Sequence, residues 1–184
     1  VEEKLGIAPQ ALVLEKNENG KPTVQGHPEF YFNLSHAGDY VVLAYGDVPL
    51  GVDIEQIREK DNLRVARRCF TEREYAYVSG QKEVVSQEPA DSHGGLAKKL
   101  RFKPDDSLCA ERFFYLWTMK ESYLKLTGDG ISVPLNSFEI DLVQKAVIGT
   151  PYRYFMLRMD DYWISVCAEE DCMVEYSLDS CIRF

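Results

Sequence analysis

Residues 107–127 restrict the fold more than any other part of this chain. Leu108, Tyr115, Leu116, Met119, Tyr123 and Leu126 fall near one stripe at helical spacing, and Gly128 stands just past the end as a terminator. A helix of this length with an apolar stripe needs a surface to cover it. The segments on either side supply short apolar runs with strand character rather than further long helices, which predicts an α+β chain in which small antiparallel sheets pack against helix.

Residues 11–15 form one such run, followed by the turn cluster Asn17-Glu18-Asn19-Gly20-Lys21-Pro22, where Asn-Gly supplies positive φ and Pro stops regular pairing. Residues 30–36 are aromatic and strand-like and end in the polar Ser35 and His36 before Ala37-Gly38-Asp39 turns the chain. Residues 40–45 are expected as a buried strand, 46–49 as a hairpin turn, and 50–55 as its returning partner. Residues 61–69 place Leu63, Ala66 and Phe70 on one helical face, with Arg64, Arg67 and Arg68 together at i, i+3 and i+4. Thr71-Glu72-Arg73-Glu74 has the spacing of a capping box, so a second helix is expected to start there and to stop near Ser79-Gly80.

Periodicity disappears over 81–106, where Gln, Glu, Ser, Pro, Asp and paired Gly94-Gly95 dominate around a cationic patch at Lys98, Lys99, Arg101 and Lys103. This stretch is expected to be a functional loop or disordered. Beyond the long helix, 137–142, 152–159, 162–168 and 174–178 have the pattern of a second sheet. Asp161-Tyr162-Trp163-Ile164 echoes Asp39-Tyr40-Val41-Val42, an Asp-Tyr turn feeding an apolar strand, which suggests two similar lobes.

Thirty acidic against twenty-one basic residues give a formal charge of −9, which disfavours nonspecific nucleic-acid binding, and no stretch approaches the length of an apolar membrane span. Five scattered cysteines without a C-x-x-C pair look like free thiols of a reducing cytoplasm. Asn33-Leu34-Ser35 spells a glycosylation sequon, a coincidence in a chain with no other sign of secretion.

Two groups of residues carry the chemistry. Asp53 and Glu55, at i and i+2 on an expected strand, project from one face and repel each other, so a basic neighbour or a hard divalent ion should compensate them. Trp117, Glu121 and Lys125, at i, i+4 and i+8, share one face of the long helix, with Lys120 on the neighbouring row. A surface Glu-Lys pair beside a core Trp accounts for this spacing; so does a third oxygen ligand or base at Glu121 with Lys125 as a phosphate clamp.

Gly51-Val52-Asp53-Ile54-Glu55, followed by Trp117-Thr118-Met119-Lys120-Glu121-Ser122-Tyr123-Leu124-Lys125, resembles the paired motifs of the 4'-phosphopantetheinyl transferases, in their larger two-lobed Sfp-type branch. Gly20-Lys21-Pro22, Asn33-Leu34-Ser35-His36 and Phe70-Thr71-Glu72-Arg73-Glu74-Tyr75 resemble further family segments in the same order. The resemblance implies two pseudo-symmetric lobes, each a small antiparallel sheet packed with a long helix. The N-terminal lobe is expected over 1–60 and the C-terminal lobe, with the irregular insertion, over 61–184. Only Lys4 and Lys16 precede Gly20 as basic residues and the chain starts without Met, so a first segment of the N-terminal lobe is expected to be missing.

The implied activity is transfer of the 4'-phosphopantetheine arm of coenzyme A to a serine of an apo acyl or peptidyl carrier protein, releasing adenosine 3',5'-bisphosphate. By the same resemblance, Asp53, Glu55 and Glu121 would hold Mg²⁺, with Mn²⁺ as an alternative; Lys125, His36 and Ser35 would meet the phosphates of coenzyme A; and Gly20, Lys21 and Pro22 would form the loop packed against the adenine. Glu121 would be ligand, base or both. The expected protein is a cytoplasmic monomer acting on coenzyme A and a carrier protein, with Arg64, Arg67 and Arg68 or the 98–103 patch meeting the acidic partner, and without nucleic-acid or membrane binding. A noncatalytic coenzyme A or carrier-protein binding module is the alternative, and a metal-dependent phosphoesterase a third reading.

Overall fold

The computed structural model describes residues 2–16, 20–80 and 106–169. The chain opens with α1 (Glu2–Leu5), a 3-10 turn at Pro9–Ala11 and the small ladder of β1 (Leu14–Lys16) with β2 (Pro22–Val24). β3 (Tyr31–Ala37) and β4 (Tyr40–Gly46) form an antiparallel hairpin closed at Gly38-Asp39. β5 (Leu50–Gln56) leads to α2 (Asn62–Cys69), α3 (Glu72–Val78) and the long α4 (Asp106–Thr127). β6 (Ile140–Asp141), β7 (Ala146–Val147), β8 (Tyr152–Met159) and β9 (Tyr162–Glu169) follow, and the second sheet runs β5-β9-β8-β7-β6, all pairs antiparallel. The architecture is the expected α+β, two-lobed one.

The segments with strong local signals form as expected. Thr71 and Glu74 make the reciprocal capping box of α3, and α4 begins one residue before the expected start. The echo between Asp39-Tyr40 and Asp161-Tyr162 has a spatial counterpart. Both stretches close two-residue hairpins, at Ala37↔Tyr40 and Met159↔Tyr162, and the Tyr40 and Tyr162 rings meet edge to face at 4.9 Å.

Strand partnership differs from expectation in one place. β4 and β5 were the expected hairpin; instead β4 pairs with β3 and β5 with β9. The reason is burial. Leu50 to Ile54 are all buried, so β5 must be covered on both faces, as a near-continuous apolar run demands. On one face Val52 and Ile54 pack with Tyr162 and Ile164 of β9 and with Ala37, Val42 and Ala44 of the β3–β4 hairpin. On the other lies α4, whose fully buried Leu116 and Met119 join Phe70, Val78, Val147, Tyr154 and Cys167 in the main core. Two expected strands also shorten. Residues 135–137 form a 3-10 turn, leaving Ile140–Asp141 of the run at 137–142, and β1 starts at Leu14. The 81–105 stretch with its Lys98, Lys99, Arg101 and Lys103, and the strand expected at 174–178, lie outside the described residues.

The helix meets the strand at Gly51, where a Cβ would run into the backbone of Ser122 and Leu126. Next to it Ser165 of β9 and Ser122 share a buried hydrogen bond of 2.9 Å. Gly51→Ala must therefore push α4 off the sheet, and a loss of about 3 kcal/mol is expected, at the upper end for overpacking. Urea unfolding checks it; an unchanged midpoint would mean that helix and strand backbones are not in contact.

Candidate functional site

Pleat and packing together place the acidic residues. Gly51, Asp53 and Glu55 alternate with Val52 and Ile54, so the close approach at Gly51 turns both carboxylates toward α4. Glu121 and Lys125, one turn apart, approach the same strand. Lys125 Nζ donates to Asp53 Oδ1 at 2.7 Å and to Ser35 Oγ at 2.8 Å, and Ser35 Oγ donates to Asp53 Oδ1 at 2.9 Å.

β3 reaches this cluster through side chains. Asn33 Oδ1 accepts from the Val52 N–H at 2.9 Å and Ser35 Oγ from the Ile54 N–H at 3.3 Å. Alternate N–H groups along one edge of β5 thus find acceptors at i and i+2 on β3, and the strand needs no second backbone neighbour there. Asn33 is a residue that the sequence left without a role, although the equal spacing of Asn-x-Ser and of outward N–H groups on a strand is a usable signal.

Asp53 retains only 5% of its surface, and its Oδ2 is buried with no hydrogen-bond partner. Burial pushes its carboxyl above the usual value, with Lys125 and Ser35 opposing. Glu55 is pushed up to about 7 by burial and then by the Asp53 charge, with Glu121 adding and Arg58 and Lys125 opposing. Glu121 is raised by burial and by Asp53. The Asp53 charge thus disfavours ionisation of both Glu55 and Glu121, and Lys125 opposes the shift at all three carboxylates, helped by Arg58 at Glu55. An orphaned buried oxygen and an all-oxygen donor set suit a hard cation such as Mg²⁺. As they stand, no group of three His, Cys, Asp or Glu side chains among the described residues is arranged to hold a metal ion.

The remaining expected residues fall in two places. Lys21 Nζ donates to Leu50 O at 3.0 Å and to Leu126 O at 3.3 Å, tying the loop after β1 to the start of β5 and the C-terminal end of α4, where a cation is favoured. Lys21 and Pro22, with Thr23, Phe30, Tyr31 and Thr127, line a cleft of about 170 Å³, and Gly20 precedes Lys21 at φ 79°. This volume is below the roughly 300–1,000 Å³ of a full small-molecule site. His36 is not brought to the cluster. It is exposed, on the opposite face of β3 from Asn33 and Ser35.

Trp117 is a packing residue, its ring stacked on Phe113 at 5.4 Å and near Phe70. Lys120 is the residue whose importance the sequence hid. It is fully buried and donates to Glu74 Oε1 at 2.9 Å, Leu135 O at 2.6 Å and Phe138 O at 2.7 Å.

A sequence profile of the 4'-phosphopantetheinyl transferase superfamily matches residues 49–167, and one for the 4'-phosphopantetheinyl transferase N-terminal region matches residues 1–47. The 4'-phosphopantetheinyl transferase psf-1 of Bacillus pumilus is 36% identical over 180 residues, covering 97% of this chain and 61% of its own length. The gsp transferase of Aneurinibacillus migulanus is 35% identical over 146 residues, 78% of this chain and 50% of its own. Sfp of Bacillus subtilis strain 168 is 35% identical over 132 residues, 72% and 48%. The chain thus spans about half to three-fifths of the length of these curated relatives.

The raised carboxylates fix the sign of a pH dependence in the metal-free protein. Between the ordinary value of 4.5 and about 7, folded Glu55 keeps a proton that the unfolded chain has lost. Stability therefore falls as pH rises through that window. Urea midpoints in EDTA at pH 5 and pH 7.5 should show the decline, and Glu55→Gln should flatten it; an equal slope in the variant would remove Glu55 from its cause.

Proposed function

Since the chain belongs to the 4'-phosphopantetheinyl transferase superfamily, we propose that it moves the 4'-phosphopantetheine arm of coenzyme A onto a serine hydroxyl of an apo acyl or peptidyl carrier protein. The serine oxygen forms a bond to the phosphorus carrying the pantetheine. The bond from that phosphorus to the bridging oxygen of the pyrophosphate breaks, adenosine 3',5'-bisphosphate leaves, and the serine proton passes to a base. The observation that carries this reading is the Ser35–Asp53–Lys125 cluster, with an orphaned Asp53 oxygen and two further carboxylates, Glu55 and Glu121, near enough to feel the Asp53 charge.

Phosphoryl transfer of this kind depends on position and charge neutralisation more than on a protein nucleophile. Lys125 and Ser35 offer an ammonium and a hydroxyl to phosphate oxygens. Asp53, Glu55 and Glu121 would hold Mg²⁺, or Mn²⁺ in its place. The bound ion would supply Lewis acidity and a template for the pyrophosphate. Burial and Asp53 keep Glu121 more proton-hungry than an ordinary carboxylate, which suits a base for the serine proton as well as a ligand. Lys21 and Pro22 at the small cleft would receive the nucleotide end of coenzyme A, the pocket having room for part of it. For His36, a place near the phosphates rests on the resemblance alone.

Intact mass measurement of apo carrier proteins incubated with coenzyme A and Mg²⁺ tests the reading. One phosphopantetheine arm should be gained, and Glu121→Gln, Lys125→Met or omission of metal should slow the gain by about a hundredfold or more. Coenzyme A and carrier binding without any gain of mass would favour the noncatalytic module, and free phosphopantetheine without an acceptor the phosphoesterase.

The carrier is expected to be acidic, and a chain of charge −9 must meet it through a local basic patch. Arg64, Arg67 and Arg68 are exposed on α2, with Arg64 paired to Asp61 and Arg67 over the Tyr75 ring. Reversing the three to Glu should raise KM for carrier about tenfold and leave KM for coenzyme A unchanged; an unaltered carrier KM would move the contact elsewhere. A cytoplasmic monomer completes the proposal. No helix among the described residues is long and apolar enough to cross a membrane.

A further inference from the structure

We propose that Lys125 keeps the divalent-ion site closed until a phosphate ligand draws its ammonium away, so that metal and coenzyme A bind as a coupled pair and metal alone binds weakly. This rests on the reading of Asp53, Glu55 and Glu121 as the metal ligands, and the experiment below separates the two.

Three observations carry it. First, Asp53 Oδ1 is already occupied twice, by Lys125 Nζ at 2.7 Å and by the Ser35 hydroxyl at 2.9 Å, while Oδ2 has no partner. Second, no ion pair reaches Glu55 or Glu121 among the described residues, so the one strong cation contact in the cluster is spent on Asp53. Third, the acidic side chains are not arranged to hold an ion in this state. An arriving cation must share a carboxylate whose charge is already offset at Oδ1 by a tethered ammonium, present at high effective concentration and poorly screened by solvent at so buried a carboxylate.

A phosphate changes the balance. The Lys125 side chain keeps 30% of its surface exposed, against 6% for Asp53, so the lysine is the member of the pair that borders solvent. A lysine on its four-carbon stem can exchange one oxygen anion for another, with no bond made or broken and no proton moved. Once it turns to the phosphate, Asp53 Oδ1 is released for the ion. By linkage the effect is reciprocal: metal on Asp53 frees Lys125 for phosphate, and each ligand raises the affinity of the other by one factor. The ammonium thereby discourages occupation of the site by metal without substrate.

The test is binding rather than turnover. Free Mn²⁺ is followed by its electron paramagnetic resonance signal against the protein without coenzyme A, for wild type, Lys125→Gln and Lys125→Met. Both variants should bind Mn²⁺ about tenfold more tightly than wild type, within the range usual for coupled sites. Addition of coenzyme A should tighten Mn²⁺ on wild type by more than it does on either variant. Equal or weaker Mn²⁺ binding by both variants, with wild type binding measurably, would overturn the closed-site proposal and leave the metal reading standing. Absence of Mn²⁺ binding by all three with coenzyme A present, or binding that Asp53→Asn leaves untouched, would overturn the metal reading and the proposal with it.

Discussion

The contact of α4 with β5 at Gly51 is the constraint on which the site depends. Because no Cβ intervenes, the helix lies on the strand at the level of Ser122 and Leu126. Two residues further along the strand is Asp53, and one residue before Leu126 on the helix is Lys125, so the same contact that fixes the packing distance also sets the 2.7 Å ion pair. The pleat then carries Glu55 along the same face. A bulkier residue at 51 would cost packing energy and would also separate the acidic strand from the helix that compensates it.

The helix is held in rotation by a second, buried pair. Lys120 and Glu74 lose almost all solvent, and taking both charges out of water costs more than a simple ion pair returns. Here every group is answered. Lys120 places its three donors on Glu74 and on the Leu135 and Phe138 carbonyls, while Glu74 caps α3 through Thr71 and accepts the Ile140 N–H. Burial lowers the ammonium's pKa from its usual value, with Glu74 opposing. Such a network specifies geometry. It joins α3, α4 and the start of β6, and with Lys120 pinned inward, Glu121 falls about 100° around the helix, on the row that faces β5.

What the sequence disclosed follows from how local each signal is. The capping box at Thr71 and Glu74, the existence of α4 and the same-face placement of Asp53 and Glu55 depend on spacing within one element, and all are present. The stripe of α4, however, is not its buried face: Leu108 is exposed, while Phe113, Phe114, Lys120 and Leu124 outside it are buried, because sheet and helices cover α4 from several sides. Strand partnership depends on which surfaces remain to be covered after the chain has folded back, so local pattern points β5 to β4 whereas the fold pairs it with β9. Spacing alone makes Lys120 only a neighbour of the functional row, because its partners are 15, 18 and 46 residues away in sequence. His36 shows the converse: its motif was recognised, but period-two alternation sends it away from Ser35.

Ser35 is where the fold and the site meet. A hydroxyl has one donor and two acceptor positions. Ser35 spends the donor on Asp53 Oδ1 and the acceptors on the Ile54 N–H and Lys125 Nζ, so it is saturated. Any phosphate that recruits this hydroxyl must therefore break its contact with Asp53 before it makes one, whereas the Lys125 ammonium uses two of its three donors on Asp53 and Ser35. The join between β3 and β5 survives that exchange, because Asn33 holds the Val52 N–H independently of the acidic cluster. Dividing the two tasks between residues at i and i+2 lets the charged groups rearrange around a ligand while the strands that carry them stay in place.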